Sequence, residues 1–126
     1  MKRLHLLLVA TILLLSLALS ACGSKTTEDP VKKGANELIV VTNDLQKEID
    51  AGNEGKVKEL GPKLEETWAT FEDGVKDKYA DFYEKIEESL NPEVAGSKAD
   101  SIDMSTLGQL NASLNKTLNE LVQGIK

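Results

Sequence analysis

The chain has 126 residues, a formal charge of −6, and only one cysteine and one histidine. A disulfide within the chain is excluded, and a site of several cysteines and histidines cannot be assembled. The acidic balance argues against nucleic acid and anionic lipid surfaces, both of which call for basic patches. It is compatible with cations, and equally with a helical domain kept soluble by charge.

Residues 1–21 read as a targeting segment. Lys2 and Arg3 give a positive start, and Leu6 to Leu17 is an apolar run too short for a typical transmembrane helix. It ends in Leu19-Ser20-Ala21-Cys22, which resembles a bacterial lipobox. On this reading the segment is a lipoprotein signal peptide, and Cys22 becomes the lipidated (palmitate-type) N-terminus that anchors the protein to the bilayer; the alternative is an ordinary secretory signal with an incidental cysteine. Cleavage removes Lys2, Arg3 and His5 but no acid, leaving a mature charge two units below the −6 of the whole chain. The mature chain then has no imidazole and no free thiol. Triad chemistry and Cys/His zinc sites are excluded, no enzyme is expected, and Asp, Glu and Tyr oxygens are the metal donors that remain.

Residues 22–30 form the lipidated cysteine and a small, polar tether with a reach of roughly 15 Å. Residues 31–126 form the domain. Its first helix is predicted over Val31 to Ala51, with Val31, Ala35, Leu38, Ile39, Val41, Leu45 and Ile49 on the apolar face and Gly52 as the stop. A second helix begins near Glu54 under an Asn53 cap, and Gly61-Pro62 is expected to kink or restart it.

The stretch from Leu64 to Leu90 carries the only Trp, both Phe and both Tyr. Leu64, Trp68, Phe71 and Val75 fall on one helical stripe, and Tyr79, Tyr83, Ile86 and Leu90 on another, with a short break expected at Gly74 to Asp77. At about 100° per residue, Glu72 and Glu87 lie at the edges of these stripes, as does Glu65, whereas Asp73 points away. Edge acids therefore face one another across the two helices, with the meeting pair left open. Pro92 either ends the third helix or begins a further turn. Gly96 to Asp103 is a loop, and Met104 to Val122 is a final helix with Leu107, Leu110, Leu114, Leu118, Leu121 and Ile125 inward.

The pattern Trp68-x-x-x-Glu72-Asp73-Gly74-Val75, followed by Tyr83-x-x-Ile86-Glu87, resembles the helical extracytoplasmic domain associated with high-affinity iron permeases of the EfeU type. The likeness spans roughly residues 34 to 125, with its matched residues concentrated between 64 and 90. The chain departs from that family in having no permease segment and no GxHxxE stretch, which leaves an accessory role.

The fold expected is all-α, an antiparallel up-and-down four-helix bundle. The function the resemblance implies is that of a membrane-anchored accessory lipoprotein of the cell envelope. It would bind iron through Glu72 and Glu87 with Glu65, Asp73 and Tyr83, with Trp68 packed at the site, and pass it to a membrane iron permease. The alternative is a metal-free interaction or structural module of the envelope.

Overall fold

A computed structural model describes residues 28–126. The targeting segment, Cys22 and most of the tether lie outside the described residues. The described part holds five helices and no strand: α1 Pro30–Asp50, α2 Glu54–Ala69, α3 Glu72–Lys78, α4 Ala80–Ser97 and α5 Met104–Gly124. None of them is long and apolar enough to cross a membrane.

Local chemistry starts and stops these helices. Asp29 caps α1 by accepting from the Val31 amide at 2.8 Å, with Pro30 in the first turn, where its missing N–H costs nothing. Gly52 closes the turn after α1 at φ 67°, a conformation that favours glycine. Asn53 caps α2 and Asp103 caps α5, accepting from the amides of Lys56 at 3.3 Å and Thr106 at 3.0 Å.

α1 lies against α2 and α5, and α4 lies against the same two helices from the other side. The short α3 links α2 to α4 and also touches α1. Between the long helices sits a single apolar cluster in which Leu38, Leu45, Leu64, Ile86, Leu114, Leu118 and Leu121 are fully buried. Burying a large aliphatic side chain contributes about 1.5–3 kcal/mol, so this cluster is the main source of stability.

The structure departs from the sequence reading at four places. The break expected at Gly74 to Asp77 falls instead at Thr70-Phe71 and again at Tyr79, and Gly74 to Asp77 is helical. Phe71 leaves helical geometry (φ −138°) and buries its ring in a notch at Gly34 of α1, where any Cβ would overlap the ring. Burial of an aromatic ring outweighs one turn of helix here. Second, α2 continues through Gly61-Pro62, because Gly61 is the point at which α2 meets Ser97 of α4 at a distance no side chain would allow. Third, the loop expected from Gly96 begins later, because α4 takes the second course left open at Pro92 and runs on to Ser97. In both cases tertiary packing holds a helix that proline weakens. Fourth, Leu110 is only half-buried, and Asn111 takes its place in the core at 1% exposure.

Candidate metal centre

The breaks at Phe71 and Tyr79 decide where the acids stand. Glu72 and Asp73 open α3, Tyr83 and Glu87 lie one turn apart on α4, and Trp68 ends the buried face of α2. Trp68 is 3% exposed, meets Phe71 edge-on at 5.1 Å and tilts over the Tyr83 ring at 5.7 Å. This aromatic stack fixes Tyr83, which is half-buried along with Glu72 and Glu87, while Asp73 is exposed.

The Tyr83 phenol is held above its ordinary range. The hydrogen-bonding pull of Glu87 is the first cause, although the pair does not meet strict hydrogen-bond geometry. Burial follows, and then the fields of Glu87, Glu72 and Asp73. Together the three carboxylates make the potential at the phenol negative. Lys76 of α3 already exploits it, with its ammonium 5.5 Å from the centre of the Tyr83 ring.

Four of the residues expected at the site, Glu72, Asp73, Tyr83 and Glu87, are thus brought into one electrostatic group beside Trp68. Glu65 is directed elsewhere: it is well exposed on α2 and pairs with Lys98 at 3.5 Å. Among the described residues, no three His, Cys, Asp or Glu side chains converge closely enough to hold a metal ion by themselves. A cation here would draw on the Tyr83 oxygen together with the Glu72 and Glu87 carboxylates. These hard oxygen donors fit Fe³⁺ and other hard cations and do not fit soft ones. Cys22 lies outside the described residues.

Five buried polar side chains escaped the sequence reading, Ser89 and Ser97 on α4 and three that interrupt apolar stripes. Thr42 is fully buried on α1, where its hydroxyl and carbonyl accept from Asn115 at 2.7 Å and from Asn111 at 2.9 Å. Asn111 also donates to Gln46 at 2.9 Å, and Asn115 to Asn43 at 3.1 Å. This amide ladder lines a groove of about 350 Å³ between α1 and α5 and is satisfied almost entirely by its own members. The third group is Glu93, fully buried on α4. A signal for all three was present. Leu38-Thr42-Leu45-Ile49, Leu107-Asn111-Leu114-Leu118 and Ile86-Leu90-Glu93-Ser97 share the i, i+4, i+7, i+11 spacing of a buried stripe.

No protein-family model matches the chain, and no solved structure matches it. Among curated proteins it is similar to the iron uptake system component EfeM of Bacillus subtilis (strain 168), at 25% identity over 125 residues. The similarity covers 87% of this chain and 32% of that protein, so the chain spans about a third of its relative's length.

Proposed function

We propose that this chain is an extracytoplasmic accessory protein of iron uptake, anchored to the membrane by lipid on Cys22, which binds a hard cation and passes it to a membrane permease. It is not an enzyme on this reading, since the mature chain offers no imidazole or free thiol. Its four long helices form an antiparallel up-and-down bundle, with α3 as a spacer between the second and third. The ring of neighbours α1–α2–α4–α5 and the short α1–α2 and α4–α5 links support that topology.

The observation that carries the reading is the Tyr83 ring packed at 5.7 Å on the buried Trp68, with its phenol raised above the ordinary range by Glu87 first and by the fields of Glu72 and Asp73 last. The name of the similar Bacillus subtilis protein supports iron as the cargo and a permease as the partner. Tyr83, Glu72 and Glu87 would hold the ion, and Asp73 would add field from the rim. The phenol proton would leave as the cation arrives, because a cation bonded to the oxygen favours the phenolate.

Calorimetric titration of the mature chain with iron(III) citrate, iron(II), manganese(II) and calcium tests this. A hard ion should bind tighter than about millimolar and raise the melting temperature with concentration. Glu72→Gln with Glu87→Gln should abolish both effects at unchanged helix content. Absence of any such binding would overturn the reading. Equal membrane retention of wild type and Cys22→Ser would remove the anchor from it.

A second reading, a metal-free interaction module of the envelope, is favoured by one observation. Among the described residues the acids do not converge into a ready-made three-ligand group. The same titration separates the two, because a metal-free module gives no heat with any ion.

A further inference from the structure

Glu93 lies in the core without a partner. It is fully buried, and neither carboxylate oxygen receives a hydrogen bond. It stands near the C-terminal end of α4. Ser89, one turn before it, bonds Ser113 of α5 at 3.1 Å, and Ser97, one turn after it, abuts Gly61 of α2. At about 100° per residue, Glu93 points about 40° from each, between the two neighbouring helices.

No countercharge reaches it. The helices packed on α4 are α2, α3 and α5, and their buried residues include no titratable group. The half-buried titratable groups of this region are Glu72 on α3, Tyr79 at the hinge, and Tyr83 and Glu87 on α4 itself. Burial alone pushes Glu93 up to about 8.

We propose that Glu93 is a proton-operated latch: as a neutral acid it seals the C-terminal half of α4 against α2 and α5, and on ionisation it loosens that seam. The sign follows from linkage. The folded chain holds the Glu93 proton up to about pH 8, whereas an unfolded glutamate releases it near 4.5. The folded state therefore binds more protons between those limits, and stability falls as pH rises through them and levels off above about 8. Other shifted groups stay out of this window. Glu59 and Asp103 are lowered from 4.5 and 3.8, and Lys56 and Tyr83 are raised from 10.5 and 10.0.

Hydrogen exchange of the full chain in mild detergent, at about pH 6 and about pH 9 and corrected for intrinsic rates, reads the latch directly. Protection over residues 57–64 and 90–97 should fall about tenfold or more in wild type between the two pH values, and by less than about twofold in Glu93→Gln. Equal loss in both proteins, or no loss in wild type, would overturn the proposal. Glu93→Leu covers the case in which the glutamine variant folds poorly. Protection independent of pH in that variant supports the latch, and a wild-type pH response contradicts it.

Discussion

Tyr83 and Glu93 stand less than three turns apart on α4 and show two fates of an ionisable group on a partly apolar helix. Tyr83 sits at the rim, where carboxylates set its behaviour; Glu93 sits in the core, where desolvation alone does so. Glycines show the same dependence on place. Gly34 receives the Phe71 ring, whereas a Cβ at Gly55 would meet only the Asn53 side chain at 3.8 Å. Gly34→Ala should therefore lower unfolding free energy by about 1–3 kcal/mol through overpacking. Gly55→Ala should raise it by about 0.5–1 kcal/mol by relieving helix entropy. Urea unfolding midpoints check both, and a neutral Gly34→Ala would show that Phe71 does not need its notch. The edge positions of Glu72 and Glu87 were legible from helical angle alone. Thr42, Asn111 and Glu93 were legible only in part, because the stripe period runs through them while their polarity points to solvent.

Among the elements, α1 and α5 were the most legible, because their caps and apolar periods agree with their packing. Leu114 and Leu110 on α5 separate the stripe from its edge. Leu114→Ala should cost about 2–5 kcal/mol, and Leu110→Ala distinctly less, since Leu114 is fully buried and Leu110 half-buried. Similar losses at both positions, read by chemical unfolding, would mean that Leu110 and not Asn111 faces the core. The segment from Pro62 to Pro92 was the least legible. Proline and glycine predict interruption locally, yet Gly61 against Ser97 and Phe71 against Gly34 are contacts between residues far apart in sequence. Long-range contacts of this kind moved the break from Gly74–Asp77 to Phe71 and Tyr79 and created α3. That helix in turn brings Glu72 and Asp73 towards Tyr83, an arrangement the angular argument left open.

For the whole molecule, the composition is acidic, and the likeness to EfeM covers about a third of that protein. Cation handling is the proposal these two features support. The central claim is that Tyr83 becomes a ligand. Iron(III) bound by a phenolate absorbs visible light through charge transfer, so the claim has a direct optical readout. Titration of the mature chain with iron(III) citrate should produce a saturating visible band that survives Tyr79→Phe and disappears in Tyr83→Phe. No band at saturating iron, or a band unchanged in Tyr83→Phe, would contradict it.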